Sequence, residues 1–230
     1  MPLPTKHASA AEAVAEIRDG ATVMLGGFGV PGTPFRLIAE LVRQGPRGLT
    51  IIKNDANEAG MGVDLLLQNG QVDRLIATHI GLNPNAMRMM VAGELRVDFV
   101  PQGILAERIR AAGSGLLGIV TDIGMGTELE AGTERVSVEG RTALFEPALR
   151  ADFALVHAAE ADPFGNLRFA GSARNFSPLM AMAAERTIVE AERVVGLGAL
   201  AAEDVHLPGA FVDHVTPITA LPEVYDVVQR

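Results

Sequence analysis

A cluster of glycines, two neutral amides and a scatter of carboxylates and imidazoles carry whatever chemistry this sequence can do. The cluster is Gly26-Gly27-Phe28-Gly29-Val30-Pro31-Gly32-Thr33-Pro34. Apart from Phe28 and Val30 it has no bulky side chain, so a long thin ligand can lie along its backbone. Asn54 and Gln102 each follow a short apolar run and would project as neutral donors, although a side-chain amide at a strand end can equally cap local backbone. Glu58, Glu94, Glu107 and Glu128 lie near polar or glycine-rich text. As isolated charges they fit solvated positions better than a nucleophile's pocket. Arg174-Asn175, within Ser-Ala-Arg-Asn-Phe, calls for an acid or a phosphate, and an internal salt bridge serves as well. Of five histidines none has His-x-x-x-His spacing. His79 could line a site, whereas His157, His206 and His214 read as structural. Met87, Met89, Met90, Met180 and Met182 read as core or interface filling.

These residues need elements to hold them. Ala10–Arg18 has apolar residues at helical spacing, with Ser9 as N-cap. Thr22–Leu25 and Leu49–Ile52 are apolar runs suited to buried strands. Between them Thr33 reads as N-cap and Pro34 as the first residue of a helix reaching Arg43. The alternation continues with helix Val63–Gln68, strand Arg74–Thr78, helix Ala86–Ala92, strand Val97–Val100 and helix Leu105–Ala111. Residues 113–146 break it: a glycine-rich excursion, then a β-hairpin over Arg135–Glu146 turning at Glu139-Gly140. Strand Phe153–His157, helix Pro178–Ala184, strand Thr187–Glu190 and strand Ala210–Val212 complete the chain. Strands alternating with helices imply an α/β fold, an open and mostly parallel sheet flanked by helices. No repeat, low-complexity tract or linker divides it, so residues 1–230 read as one domain.

Composition narrows the function. Twenty-eight acids against 19 bases give a formal charge of −9, which argues against nucleic-acid binding. No cysteine is present, which removes disulfides, thiolate metal sites, iron–sulfur clusters and thiol nucleophiles together. Met1–Ala15 lacks the apolar stretch of a signal peptide, and Val194–Ala202 is far short of a bilayer span of about 20 residues. The expectation is a cytoplasmic protein with no membrane partner, no metal and no resident cofactor.

Read as Gly27-x-Gly29-x-x-Gly32, with Asp55 ending the next strand, the glycine cluster satisfies the dinucleotide-binding pattern and suggests an NAD-dependent dehydrogenase. Pro31 and Pro34 oppose this. They lack N–H groups and push their predecessors out of the α region, delaying the helix whose amides would hold a pyrophosphate.

The longer phrase Asp19-Gly20, Val23-Met24-Leu25, Gly26-Gly27-Phe28, Gly32-Thr33-Pro34 resembles the N-terminal signature of family I coenzyme A transferases, specifically their A (alpha) subunit. Leu49–Asp55, Ala77–Pro84, Val100–Gly103 with Leu105–Arg110, Ala151–Ala158 and Ser172–Phe176 continue the likeness in order, over about residues 10–215. The resemblance implies transfer of CoA from an acyl-CoA, such as succinyl-CoA or acetyl-CoA, to a short 3-oxoacid or fatty acid such as acetoacetate. The reaction would pass through a glutamyl–CoA thioester whose glutamate is on a B (beta) subunit, in an A2B2 assembly. It implies that CoA thioesters are substrates, that Asn54 and Gln102 position the reacting carbonyl and its oxyanion, and that Gly26, Gly27, Phe28, Gly29, Val30, Pro31 and Gly32 line the CoA path. His79–Pro84 leans toward the acetate/acetoacetate branch, and the corresponding half of a 3-oxoadipate CoA-transferase is the alternative. A non-catalytic acyl-CoA-binding protein is the remaining reading.

Overall fold

The computed structural model describes residues 5–220; Met1–Pro4, the start of the segment read for a leader, lie outside that range. Helix α1 (Ala10–Val14) begins on a capping box. Ser9 Oγ accepts from Glu12 N at 3.2 Å and Glu12 Oε2 accepts from Ser9 N at 3.0 Å, each satisfying an otherwise orphaned amide. The helix stops at Val14 rather than Arg18, and Ile17 reaches the core from the turn that follows.

Strand and helix then alternate as β1 (Thr22–Leu25), α2 (Phe35–Gln44), β2 (Leu49–Ile52), α3 (Val63–Gln68), β3 (Val72–Ala77), α4 (Pro84–Val91), β4 (Arg96–Phe99) and α5 (Gln102–Gly113). A separate antiparallel sheet follows, made of β5 (Gly118–Thr121), β6 (Glu134–Val138) and β7 (Arg141–Pro147) in the order β5-β7-β6. Its hairpin turns at Glu139 and Gly140, both at positive φ. The chain returns through β8 (Ala151–Ala161), β9 (Leu167–Arg168), α6 (Ser177–Ala183), β10 (Ala184–Val194) and β11 (His214–Pro217).

The main sheet has the order β11-β10-β8-β1-β2-β3-β4, all parallel, with β9 antiparallel on β8. Alternate residues of each strand feed two cores. Val23, Leu25, Ile51 and Leu75 pack on one face with the apolar sides of α1 to α4. Met24, Ile52, Ile76 and Val156 pack on the other with α5 and α6.

Three expectations need correction. Pro34, not Thr33, is the N-cap of α2, and Thr33 Oγ1 donates instead to the Gly29 carbonyl at 2.7 Å. Gln102 belongs to the first turn of α5, which begins three residues before Leu105. Ala210–Val212 is not a strand; Gly209–Phe211 is a 3-10 turn, and the strand is β11. At Gly209 a Cβ would meet the Phe164 carbonyl oxygen at 2.2 Å. That close approach bends the chain, while Val212 still joins the core.

Candidate active site

From β1 the chain steps outward through β2, β3 and β4; its later strands β8, β10 and β11 step outward on the other side. The order therefore reverses between β1 and β8, and open α/β sheets bind ligands at the carboxyl ends of strands at such a switch. The glycine loop leaves β1 there, and the segment after β2 runs beside it.

That segment, Lys53 to Asn57, keeps the two-residue alternation of the strand. Lys53, Asp55 and Asn57 turn toward the glycine loop. Lys53 Nζ lies 3.0 Å from Asp55 Oδ1 and 3.3 Å from the Gly29 carbonyl, and Asn57 Nδ2 donates to the same carbonyl at 2.9 Å. With Thr33, three side chains converge on one backbone oxygen. Lys53 is fully buried; burial pulls its pKa down, opposed by the charge and hydrogen bond of Asp55. Asn54 faces the other way, as Ile52 does. Its Nδ2 donates to Gln102 Oε1 at 3.1 Å and to Thr78 Oγ1 at 3.3 Å, and Thr78 Oγ1 donates to the Asn54 carbonyl at 2.7 Å. Asn54 and Gln102, 48 residues apart, are thus one amide pair. The Gln102 oxygen is thus occupied, and the residue is exposed on this chain. Among the described residues, Asn54 Oδ1 and Ser177 Oγ are the buried side-chain polar atoms without a hydrogen-bond partner. Ser177 Oγ sits beside the loop: a Cβ on Gly26 would lie 2.6 Å from it.

The loop is tightly enclosed. Gly27, Gly29 and Gly32 have φ of +101°, +61° and +80°, a region open chiefly to glycine. A Cβ at Gly27 would meet Thr33 N at 2.6 Å, and one at Gly32 would meet the Ala173 carbonyl oxygen at 2.5 Å. Asn175 Nδ2 also donates to the Pro31 carbonyl at 3.0 Å. Close packing within the chain therefore demands glycine at both positions. Phe28 remains 44% exposed at the tip. Helix α2 starts only at Phe35, so the dinucleotide geometry, a helix opening within the glycines, is not formed.

The amino terminus of α2 is served from across the switch point. Glu190, fully buried on β10, accepts from Leu37 N at 2.9 Å through Oε2 and meets His157 Nδ1 at 2.8 Å through Oε1. Glu192 meets His157 Nε2 at 2.9 Å. Burial lowers the His157 pKa, but the hydrogen bonds and charges of the two carboxylates more than reverse this and raise it to about 9. A folded pKa above the unfolded value of roughly 6.5 means a contribution complete below that pH and lost as pH climbs through 9. Stability should fall by about 1.4 kcal/mol per pH unit between roughly pH 6.5 and 9. In denaturant titrations at stepped pH, His157→Gln should flatten that slope; an unchanged slope would assign it to other groups.

The remaining candidates fall outside this constellation. Glu58, Glu94 and Glu128 are exposed, and Glu107 is partly exposed and paired with Arg110. Arg174 is exposed. His79 does approach the site, its Nδ1 lying 3.1 Å from Thr78 Oγ1. Among the described residues no group of His, Asp and Glu could hold a metal ion, and no helix is long and apolar enough to cross a membrane. A cleft of about 470 Å³ between Ala15–Asp19 and Gln44–Pro46 lies at the opposite, amino-terminal edge of β1. Sequence reasoning passes over Lys53, Thr78 and Ser177. The text Lys53-Asn54-Asp55 directly after an apolar strand is the available signal for the first; only the fold reveals the other two.

Comparison with known proteins agrees with this geometry. A family model described as coenzyme A transferase matches residues 7–217. The alpha subunit of the acetate CoA-transferase of Escherichia coli (strain K12) is 45% identical over 213 residues, covering 93% of this chain and 97% of that protein. The A subunit of the 3-oxoadipate CoA-transferase of Acinetobacter baylyi is 42% identical over 217 residues, covering 94% and 95%. Among solved structures, an acyl-CoA transferase from E. coli O157:H7, in a thioester complex with CoA, superposes with a TM-score of 0.85 at 25% identity. The match covers 96% of this chain but only 48% of that one, so the chain spans about half its length. Together with the parallel sheet and the loop at its switch point, these matches establish that the chain belongs to the coenzyme A transferase family.

Proposed function

We propose that this chain acts as one A-type domain of a heteromeric, cytoplasmic CoA-transferase that moves CoA between an acyl-CoA and a short 3-oxo or fatty acid. The relatives named as alpha or A subunits support this role, and a two-plus-two assembly with a B chain completes it. The observation that carries the reading is the Asn54–Gln102 pair, set beside the glycine loop where a ligand entering the switch point must pass.

A carboxylate on the B chain attacks the thioester carbonyl and expels CoA thiolate, leaving a mixed anhydride. The thiolate then attacks the glutamyl carbonyl, releasing the free acid and forming the enzyme–CoA thioester; an acceptor acid reverses both steps. In each addition negative charge grows on a carbonyl oxygen, and donors fixed in advance stabilise it most. Asn54 holds Gln102 by its oxygen so that the NH2 group is fixed before the charge appears. The glycine loop, pinned through Gly29 and Pro31, gives the pantetheine arm a rigid wall along Phe28, Gly29 and Val30, with CoA as a substrate.

The purified chain should show no CoA transfer from acetoacetyl-CoA to acetate, and adding a B-type chain should restore it. Robust turnover by this chain alone would overturn the division of labour. The 42% identity to a 3-oxoadipate CoA-transferase chain keeps that acceptor as a second reading, distinguished by the acid that gives the higher kcat/KM in the reconstituted enzyme.

A further inference from the structure

One cavity shares Phe28 and Gln102 with the site just described and continues past them between α5 and α6, where no role has yet been given to it. It has a volume of about 250 Å³ and is lined by Phe28, Gln102, Gly103, Ala106, Asn175, Phe176 and Leu179. Three surfaces build it: the tip of the glycine loop, the first turns of α5, and the start of α6. Gln102 and Ala106 stand four apart on α5 and face the gap from one side of that helix, while Asn175 and Phe176 enter it from the turn before α6 and Leu179 from the first turn of α6. The lining is apolar apart from two neutral amides, and contains no acidic or basic side chain.

Gly103 explains why the space is open. It lies in the first turn of α5, outside the positive-φ region, where alanine would be the better helix former by about 1 kcal/mol. A Cβ there would meet nothing within 4 Å. Unlike Gly27 or Gly32, Gly103 is required neither by backbone conformation nor by close packing inside the chain. Its missing side chain, with the small Ala106 one turn on, leaves volume next to Gln102.

We propose that this cavity receives the tail of the acyl group, and that Gly103 and Ala106 set the chain length the enzyme accepts. The inference rests on the transferase reading above, and deepens it by naming the substrate class as uncharged acyl chains. At about 30 Å³ per water-sized group, a volume of about 250 Å³ has room for a chain of up to about eight carbons. A tail ending in a carboxylate would have to bury its charge against Phe176 and Leu179 without a cation from this chain, which is costly. The nearness of Gln102 fixes which end of the thioester enters: its NH2 meets the carbonyl, and the carbons beyond extend between α5 and α6.

The test uses the enzyme reconstituted with its B-type chain and a series of acetyl-, butyryl-, hexanoyl- and succinyl-CoA donors with propionate as the common acceptor, so that propionyl-CoA formation reports every donor. In Gly103→Leu and Ala106→Leu enzymes the hexanoyl-to-acetyl ratio of kcat/KM should fall at least 10-fold, since one methylene misfitting a pocket is worth about 10–200-fold. Leu179→Ala should shift the optimum toward longer chains. Thermal unfolding of each variant chain verifies folding, and the donor preference of the parent enzyme tests the proposal without any variant. An equal loss on every donor would place the pantetheine arm here and overturn the proposal, as would unchanged ratios in folded variants. A parent enzyme that prefers succinyl- to butyryl-CoA would also overturn it. A parent that transfers CoA from none of these donors would sink the transferase reading and this inference with it.

Discussion

Replacing Gln102 with alanine in the reconstituted enzyme is expected to lower kcat by about 10²–10³-fold, the usual cost of losing one fixed oxyanion donor. Asn54 is buried and donates to Gln102 Oε1 at 3.1 Å, so the orientation of the Gln102 amide is set before substrate arrives. Gln102 itself is exposed on this chain, and its removal leaves the core of α5, built on Ile104, Leu105 and Ile109, untouched. The loss should therefore appear in kcat, with KM for the acyl-CoA changing only a few-fold, because the donor matters most when charge is on the oxygen. Gln102→Glu should be worse than alanine, since it sets a negative charge where another must form. Steady-state kinetics with both variants would check this. A kcat within threefold of the parent would remove Gln102 from the chemistry.

The second large effect concerns stability. Lys53→Met should destabilise the fold by about 3–5 kcal/mol, because it strands the Asp55 carboxylate in the interior without its cation. For a chain of this size that corresponds to a Tm lower by roughly 6–20 °C. The double variant Lys53→Met/Asp55→Leu should recover most of the loss, since removing both charges also removes the need to desolvate them. Thermal and urea unfolding of the three chains would give the comparison. If the double variant is no more stable than Lys53→Met, the pair is not the reason Lys53 is needed, and its approach to the Gly29 carbonyl at 3.3 Å becomes the stronger explanation.

Local signals explain how much of this can be read in advance. The Ser9 N-cap, the strand β2 and the helix α3 are legible because a few adjacent residues determine them. The delay of α2 past Pro34 follows from proline's missing N–H. The amide pair is legible only as two separate positions. That Asn54 and Gln102 touch depends on β2, β3 and β4 lying side by side, a property of strand order. The cap on α2 is misplaced at Thr33 for the same reason: the acceptor that serves the helix, Glu190, lies 153 positions away from Leu37 in sequence, and no local pattern announces it. Strand β5 is lost inside glycine-rich text because its partner, β7, begins 20 residues after it ends. The apolar run Ala210–Val212 looks like a strand because hydrophobicity marks burial, not extension.

The long-range bond from Leu37 to Glu190 bears on how the protein is made. When α2 leaves the ribosome, the carboxylate that completes its first turn is still untranslated. At about 5–20 residues per second, the gap of 153 positions corresponds to roughly 8–30 s. Over much of that interval the nascent chain also holds one flank of β1 without β8. The amino-terminal half thus waits, with an open strand edge facing solvent, for the sequence that finishes it, and chaperone occupancy should be highest before β10 emerges.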